Sequence, residues 1–290
     1  MAQWEGPLGE QYENKPKFEV NKVHLSVIRI INEYRNNRIT VDFTPREEAD
    51  DKLAELCNGL YRGDEQDSDA QEAKDNAFEE AVQGGMGAYR YRAEYEDEYD
   101  EDNDRQRIKI EPIYDADSSV FFDLDARRQD KSDAKYAYIV NSMTPESFEE
   151  EWDETPDSWP KDDMNYDFDW ATEDLIFVAE YYEIEDAYDM LVTFETIVGD
   201  EEKVWEDDLD EERLEMMAAM GSVESSRRKI KKRKVHKYIL SGGTVLEDCG
   251  YIAGKEIPIV PVYGKRWMVD SIERCMGHVR LAKDAQRLKN

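Results

Sequence analysis

The 290-residue sequence predicts an α+β fold, in which helices flank a mixed, mostly antiparallel β region and a further helix begins near the C-terminus. Segments with apolar residues at helical spacing lie mainly toward the two ends of the chain. Segments that alternate between apolar and polar residues, as half-buried strands do, dominate the middle. Strands and helices do not alternate regularly, which argues against a parallel βαβ fold.

The first 36 residues predict an extended segment followed by a helix. Residues 1–17 are polar and contain glycine and proline, so we expect them to be extended. Residues 18–36 repeat apolar side chains at helical spacing, which predicts a helix with one buried stripe. The stripe consists of Val20, Val23, Val27, Ile30, Ile31 and Tyr34.

A short strand and a capped helix are predicted next. Residues 39–43, ITVDF, alternate like a strand. Thr44 and Glu47 then form a capping box with Pro45 at the first helical position, so we expect a helix to begin here. The predicted apolar face of this helix is formed by Leu53, Leu56 and Leu60.

A third helix is predicted from a second capping box, Ser68 with Gln71. Gly84 and Gly85 are expected to end it, because glycine commonly follows a helix. Residues 84–87 are rich in glycine but connect a helix to a strand. A phosphate cradle needs the reverse order, so we interpret these residues as a C-cap and turn. The apolar residues of the helix are Ala73, Ala77, Phe78 and Val82.

The β region is predicted to follow these glycines. Residues 89–95 and 107–114 both alternate, and the acidic residues 96–104 between them are expected to be a hairpin loop. The remaining predicted strands lie at 120–124, 137–140, 175–184, 190–198, 234–240 and 257–264.

Two helices and a loop interrupt this β region. Residues 144–152 begin with Thr-Pro and predict a short helix. Residues 153–174 are rich in Asp, Trp and Pro and are expected to form an irregular loop. Residues 205–224 are predicted to be a helix. Its inward residues are Leu209, Met216, Met217 and Met220.

The composition restricts the possible functions. A charged fraction of 37% and a net charge of −32 oppose non-specific binding of nucleic acid or anionic membrane by most of the surface. No apolar run approaches the roughly 20 residues of a membrane span, and no signal peptide opens the sequence. Cys57, Cys249 and Cys275 are widely spaced and form no CxxC pair, which favours a reduced cytosolic compartment.

One acidic segment partly matches a calcium-binding EF-hand loop. Arg105 stands where that loop needs glycine, and Arg107 stands where it needs an apolar residue. The preceding segment is also predicted to be a strand rather than a helix. We therefore interpret the segment as a solvated hairpin tip and predict neither a metal site nor a cofactor. The matching acidic positions are Asp100, Asp102, Asp104 and Glu111.

Two pairs of carboxylates raise the alternative of a metal-dependent nuclease. Asp123 with Asp125, and Asp167 with Asp169, each lie on one face of an extended chain, as a two-metal site requires. Such pairs arise easily by chance among 70 acidic residues, so no catalytic residue is assigned. The three histidines have no metal-ligand spacing and are expected to be structural. They are His24, His236 and His278.

Residues 227–237, the basic run, stand out in this acidic chain. They could contact nucleic acid or an acidic partner. Alternatively, the run lies opposite the acidic residues 200–215 or opposite a neighbouring subunit. We favour an acidic partner over DNA, because no base-stacking aromatic residues are interleaved with the run. Its cations are Arg227, Arg228, Lys229, Lys231, Lys232, Arg233, Lys234 and Lys237.

The sequence around the basic run also resembles a known family. Residues 228–264, RKIKKRKVHKYILSGGTVLEDCGYIAGKEIPIVPVYG, resemble the wing domain of portal proteins from short-tailed, podovirus-type bacteriophages. Further similar segments occur in the same order, from about Gln3 to the end of the chain. They are residues 18–45, 79–97, 123–143 with the DKSDA core at 130–134, and 279–290.

The resemblance implies a domain organisation. Residues 1–17 would be an extended N-terminal segment, and residues 18–270 a wing-like α+β domain with a variable acidic insert at 153–225. Residues 271–290 would start the stem helix, which in the family continues into stem, clip and crown regions. This sequence is therefore expected to be a fragment, and we expect it alone to be a monomer or a weak oligomer.

The resemblance also implies a structural function. Portal rings, usually of twelve subunits, occupy one capsid vertex of the virion and form the channel for DNA packaging and ejection. Their expected partners are further copies of the same chain, the terminase, the capsid, scaffolding, head-completion and tail proteins, and double-stranded DNA. No membrane is involved, assembly is expected in the host cytoplasm, and no enzymatic activity is expected.

Two expectations at the residue level complete this interpretation. The predicted stem helix carries four cations that would contact DNA, the capsid shell or a neighbouring subunit: Arg280, Lys283, Arg287 and Lys289. The basic run is expected to pair with acidic surface within the wing or across the subunit boundary. The alternative functions are a free-standing acidic interaction protein, such as a DNA mimic or a truncated portal decoy, and the nuclease described above.

Overall fold

The computed structural model describes residues 10, 13–14, 20–45, 51–96, 105–152, 170–172, 174–195, 201–206, 209 and 211–289. The chain forms two compact units. The first unit comprises Met1–Ala134 with Pro258–Asn290, and the second comprises Lys135–Ile257. Helices flank mostly antiparallel sheets, so the predicted α+β class is confirmed. The predicted wing and stem boundaries stay a prediction.

The elements of the described residues are named here in chain order. The helices are α1 (Lys22–Asn36), α2 (Asp51–Asp67), α3 (Ala70–Gln83), α4 (Ala116–Ser119), α5 (Pro145–Trp152), α6 (Glu211–Ala219) and α7 (His278–Lys289). The strands are β1 (Met86–Tyr95), β2 (Gln106–Ile113), β3 (Val120–Phe122), β4 (Tyr136–Met143), β5 (Ile176–Glu195), β6 (Glu201–Trp205), β7 (Val223–Ser241), β8 (Thr244–Ile252), β9 (Ile259–Tyr263), β10 (Lys265–Val269) and β11 (Ile272–Met276).

In the first unit, a three-stranded antiparallel sheet has the order β2-β1-β9. The predicted hairpin of β1 and β2 is confirmed, with Tyr95 opposite Gln106, whereas its acidic tip at 97–104 lies outside the described residues. Helix α3 packs against β1 and β2. Because its inward side chains are small, the helix can lie close to the strands. Its buried residues are Ala70, Ala73, Ala77 and Ala81.

Glycines let other backbone segments approach α3 closely. A Cβ on Gly87 would lie 2.0 Å from the carbonyl oxygen of Ala77, and one on Gly277 would lie 2.3 Å from that of Gln83. Such distances exclude any larger residue without a backbone shift. The Gly277 N–H also donates to the Gly84 carbonyl at 3.1 Å, so the residue that precedes α7 is held at the C-terminal end of α3.

The predicted helix at 18–36 is confirmed as α1, which begins at Lys22 after an Asn21 N-cap. Val27 and Ile31 are buried as predicted, and Tyr34 stacks on Phe78 with ring centroids 4.0 Å apart. The other predicted stripe positions are less enclosed, and Val20 is 56% exposed. The buried stripe is therefore narrower than predicted.

The predictions for residues 39–60 are partly wrong. Residues 39–43 are not a strand, because the backbone of Phe43 bonds to the side chain of Asn58 instead of to another strand. The α2 helix exists, but its leucines do not face a core, and no residue of α2 is buried. The predicted capping box reaches Glu47, which lies outside the described residues.

Helix α3 is confirmed, but its predicted N-terminal cap is wrong. The helix starts after Asp69, which has a left-handed backbone and makes no side-chain cap bond. The Ser68 hydroxyl instead donates to the Ile108 carbonyl of β2 at 3.2 Å, because the strand lies within its reach. The predicted end is correct, since the Gly84 N–H closes the last turn on Glu80.

In the second unit, an antiparallel sheet contains β4, β5, β7 and β8 in that order, and β6 also pairs with β5. The two strands predicted at 175–184 and 190–198 are one strand, β5. The acidic residues between them favoured a break, but they pair with the basic residues of β7 and extend the strand. Strand β7 is correspondingly longer than the predicted 234–240.

Two apolar clusters lie at opposite ends of the β5–β7 ribbon. The first cluster is centred on Phe148, Ile176 and Val178, and includes the predicted and confirmed helix α5. The second consists of Val192, Phe194, Val204 and Met217, with Leu209 packed against it. The part of the ribbon between them carries mainly charged and aromatic side chains.

The predicted helix at 205–224 is shorter than expected. Trp205 ends β6, α6 covers Glu211–Ala219, and β7 has already begun at Val223. Met217 is buried and Leu209 packs inward as predicted, but Met216 and Met220 are 56% and 64% exposed. A helix of this length can bury only a narrow face.

The remaining differences concern segments without a clear pattern. Strands β6, β8, β10 and β11 were not predicted. Residues 272–276, expected to belong to a helix at 271–290, instead pair with β10, and the helix starts at His278. Most of the predicted loop at 153–174 lies outside the described residues, as does the extended segment at 1–17 apart from three positions.

Candidate interaction surfaces

The basic run lies entirely within strand β7, directly beside the acidic part of β5. On one face of this ribbon, Lys231 lies 2.6 Å and Arg233 3.3 Å from the carboxylate of Asp186. Lys237 lies 3.0 Å from Glu180 on the same face. The hydrogen bond from Lys231, followed by that from Arg233, lowers the pKa of Asp186.

On the opposite face of the ribbon, Lys232 lies 3.3 Å from Asp189, a carboxylate that is only 7% exposed. Its ammonium also lies 4.8 Å from the centre of the Trp205 ring. Lys234 lies in the same way over Tyr251, at 4.9 Å. Cations over aromatic rings are attracted by the electrons of the ring face, so the two rings help to hold Lys232 and Lys234 in place.

The two ends of the run differ in their contacts. Arg227 bonds to Glu224 at 2.6 Å and to Glu206 at 2.9 Å. Glu206 belongs to the acidic residues 200–215 that were expected to face the run, whereas the pairs at Lys231, Lys232 and Lys237 go to β5. Strand β5 therefore supplies most of the acidic contacts of the basic run. Within the described chain, Arg228 is exposed and no ion pair is observed for it.

His236 lies in the same ribbon, in a cluster of carboxylates and tyrosines. Its Nε2 lies 2.6 Å from Asp248 of β8, and its Nδ1 lies 3.3 Å from Glu185 of β5 and 2.9 Å from the hydroxyl of Tyr238. The Tyr251 hydroxyl donates to Glu185 at 2.6 Å. The hydrogen bond to Asp248 is the main cause of a raised pKa of His236. The His236 ring thus links three strands, β5, β7 and β8.

The other two histidines lie in the first unit. His24 is in the first turn of α1, where its backbone N–H donates to the Asn21 side chain at 2.9 Å. His278 is the first residue of α7. Neither lies with other candidate ligands in a described metal cluster.

The four basic candidates of α7 do not have equal surroundings. Arg280, Arg287 and Lys289 are exposed, whereas Lys283 is half-buried. The side chain of Lys22 in α1 lies beside Lys289 and lowers the pKa of its ammonium. Two cations are therefore placed together where α7 ends.

Gln286 explains why α7 lies beside α1. Its Oε1 accepts the Lys22 backbone N–H at 3.0 Å, and its Nε2 donates to the Val20 carbonyl at 2.6 Å. The amide therefore caps the first turn of another helix, which otherwise leaves backbone N–H groups without a partner. The sequence contains no signal for this contact, because the partners are more than 260 residues apart.

A buried charged network around Lys131 was missed by sequence reasoning. Lys131 is 8% exposed and has a positive φ of 55°. Its ammonium bonds to Glu273 of β11 at 2.6 Å and to the Ala126 carbonyl at 3.1 Å. Arg266 of β10 also bonds to Glu273 at 2.9 Å. The network joins the DKSDA segment at 130–134 to the hairpin that precedes α7.

Burial raises the pKa of the Glu273 carboxyl, but the hydrogen bonds from Arg266 and Lys131 more than offset this, and the net shift is downward. Glu273 is therefore ionised between two cations. The similarity of residues 130–134 to the portal segment was the only sequence signal for this site. Spacing gave no indication of the partner at Glu273, because the two residues are 142 positions apart.

A match to a family model shows to which protein family the chain belongs. A model of the phage P22-like portal protein family matches residues 1–290. The chain belongs to this family. A curated relative, the portal protein of Acyrthosiphon pisum secondary endosymbiont phage 1, is 40% identical over 297 residues, which cover 100% of this chain. The chain spans 41% of the length of that relative. The predicted resemblance to portal proteins is confirmed.

Portal proteins are structural proteins, and the candidate nuclease carboxylates have structural surroundings in this family member. Asp123 is 6% exposed, and its carboxylate accepts the Asp125 backbone N–H at 3.0 Å, which forms a local turn. Asp167 and Asp169 lie outside the described residues. Among the residues that are described, no group of three His, Cys, Asp or Glu could hold a metal ion.

The acidic EF-hand-like segment of this portal-family chain is described only in part. Asp100, Asp102 and Asp104 lie outside the described residues. Glu111 belongs to β2, where it pairs with Arg90 at 3.0 Å. Its carboxylate is thus engaged by a cation of the neighbouring strand. None of the helices in the described ranges is both long and apolar enough to cross a membrane.

Proposed function

We propose that this chain is part of a structural subunit of a phage portal ring. The ring would form the channel for DNA during packaging and ejection. It would also be the surface on which terminase and tail proteins dock. The observation that carries this proposal is the family match over residues 1–290.

The charge distribution supports a channel component. A net charge of −32 repels phosphate, so DNA can slide past the chain without adhering. The basic run would have been the main exception, but its cations at Lys231, Lys232, Arg233 and Lys237 contact acidic residues of the same chain. We propose that this run holds β5 to β7 within the wing rather than binding DNA.

The finer features of the proposal follow from the family. The ring would contain twelve copies at the portal vertex of the virion, and it would assemble in the host cytoplasm. Capsid, scaffolding and head-completion proteins would be further partners, and no reaction would be catalysed. The residues Arg280, Lys283, Arg287 and Lys289 of α7 would contact DNA, the capsid shell or a neighbouring subunit.

Immunogold electron microscopy tests this proposal directly. An antibody raised against the chain would be applied to capsids of a phage whose genome encodes it. We expect gold at a single vertex of each capsid. An amber codon at Trp4 should give heads without DNA, and a suppressor host should restore packaging. Gold over the whole shell, or full heads without the chain, would refute the proposal.

A further inference from the structure

Helix α2 presents an apolar face that no other described part of the chain covers. Leu53, Leu56 and Leu60 are 58%, 59% and 61% exposed. Their spacing of three and four residues places them on one side of the helix. A single exposed leucine is ordinary, but three aligned leucines on a helix without any buried residue form a surface suited to docking.

The same face contains two glycines. Gly59 and Gly63 lie beside Leu56 and Leu60 and line a shallow groove with them. A Cβ at either glycine would meet no atom within 4 Å, so neither glycine is required for packing among the described residues. Glycine is also the weakest helix former apart from proline. Because the two glycines have no side chain, the groove leaves room for another helix to approach closely. Such an approach would explain why glycine stands at these two positions.

The charges around this groove are mainly acidic. Glu55, Asp64 and Asp67 line its edges, together with Lys52. Apolar residues with an acidic border require a partner that is apolar at the centre and basic at its edges. This border also argues against DNA as the occupant, because phosphate would be repelled.

Helix α7 has the complementary surface. Leu281 and Leu288 are 66% and 90% exposed, and Ala285 between them is exposed as well. These residues share one side of the helix, at positions i, i+4 and i+7. The basic residues of α7 flank this apolar stripe: Arg280 and Arg287 on one side, and Lys289 on the other.

We propose that α2 of one copy of this chain binds α7 of the next copy. Both faces are exposed in the single chain, so they do not cover each other there. The contact is head-to-tail because it joins two different surfaces, and a repeated head-to-tail contact generates a closed ring when the rotation is suitable. The inference rests on the proposed function in so far as the ring is concerned, but the pairing itself can be tested without the phage.

The contact is small, since each helix contributes only a few apolar side chains. We therefore expect a weak association of isolated chains, which becomes strong only when each copy is held on both sides. Acidic and basic borders orient the helices and should make the association weaker at high salt.

Sedimentation equilibrium of the full 290-residue chain would measure this association at low salt. Gly59→Gln with Gly63→Gln fills the groove with side chains that favour a helix, so the fold is retained. Leu281→Gln with Leu288→Gln removes the apolar stripe of α7 at exposed positions. We expect the wild-type chain to self-associate and each double variant to do so at least about tenfold more weakly.

A mixture of the two double variants gives the sharpest result. One variant keeps an intact α7 and the other an intact α2, so an equimolar mixture should form heterodimers with about the wild-type affinity but no larger species. Gly243→Gln is a matched control, because that glycine also has open space around its Cβ position. Leu25→Gln is a second control, since Leu25 is 66% exposed, like Leu281.

Three results would overturn the proposal. The wild-type chain could stay monomeric up to roughly 0.5 mM, a concentration that captures weak contacts. The α7 variant could self-associate like the wild type, which would show that α2 binds a different surface, including another α2. The mixture could also form no heterodimer. None of these results affects the position of the chain at one capsid vertex, so the failure of this inference and of the proposed function can be told apart.

Discussion

Replacing Gly87 by alanine would test how closely α3 lies against the first unit's sheet. The new Cβ would lie 2.0 Å from the Ala77 carbonyl oxygen, whereas ordinary contact begins near 3.4 Å. The neighbouring atoms are backbone, so no side-chain rotation can relieve the overlap. The helix would have to move away by roughly 1.4 Å, the difference between these two distances.

The cost of this movement follows from the buried face of α3. Its alanines are completely or almost completely buried, so a displaced helix loses contacts along its whole length. Overpacking a core costs up to about 3 kcal/mol, and the rigid neighbours place this site at the upper end of that range. For a protein of this size, we expect the melting temperature to fall by roughly 6–12 °C.

Thermal unfolding followed by circular dichroism would measure this fall. Gly243→Ala is the matched control, because its new Cβ would meet no atom within 4 Å. That variant should melt within about 2 °C of the wild type. If Gly87→Ala melts as the control does, the close approach of α3 to β1 is incorrect.

Three further predictions concern charged groups. Lys131→Met should lower the free energy of unfolding in urea by about 3 kcal/mol, because it removes a buried partner of Glu273; an unchanged urea midpoint would contradict this. Asp248 raises the pKa of His236 above its ordinary value, so the contact between the two side chains stabilises the folded protein most when His236 is protonated. This stabilisation is complete below about pH 6.5 and is lost as the pH rises through the raised pKa. The difference in melting temperature between the wild type and His236→Gln should therefore shrink from pH 6 to pH 9. A difference that grows over this range would disprove the prediction. A double-mutant cycle of Asp186→Ala and Lys231→Ala should give a coupling energy below about 1 kcal/mol, because both side chains are partly exposed; a coupling above about 2 kcal/mol would refute that assignment.

The α+β class and the long amphipathic elements could be predicted because their patterns are local. Helices α1 and α3 were found from apolar spacing, and α5 was found from its Thr-Pro start, and each of these signals lies within a few positions of the chain. The same method misplaced the leucines of α2, because spacing shows which residues share a face but not whether anything covers that face. Whether a face is covered depends on distant segments or on other chains.

The length of β5 could not be predicted for a similar reason. The charged residues 185–189 resemble a turn when they are considered alone. They form a strand because β7 supplies cations at the matching positions, about 40 to 50 residues later in the chain. The basic run itself was identified easily, but its partners required the strand register, which the sequence does not contain.

The candidate sites show the same limit. The four cations predicted to lie on the last helix do lie on a helix, although α7 starts at His278. The Lys131 network combines residues from segments more than 100 positions apart. No local pattern connects such residues, so similarity to a family was the only available guide to residues 130–134.

The charged part of the β5–β7 ribbon has a consequence for folding. A shift of two residues between antiparallel strands keeps every side chain on its original face, so apolar burial alone would hardly oppose such a shift in a segment with few apolar residues. Here, the carboxylates of Asp186 and Asp189 would then meet different cations at different distances. The opposite charges of β5 and β7 thus favour the native strand register over registers shifted by two residues. The most basic stretch of an acidic protein therefore serves to align its own chain.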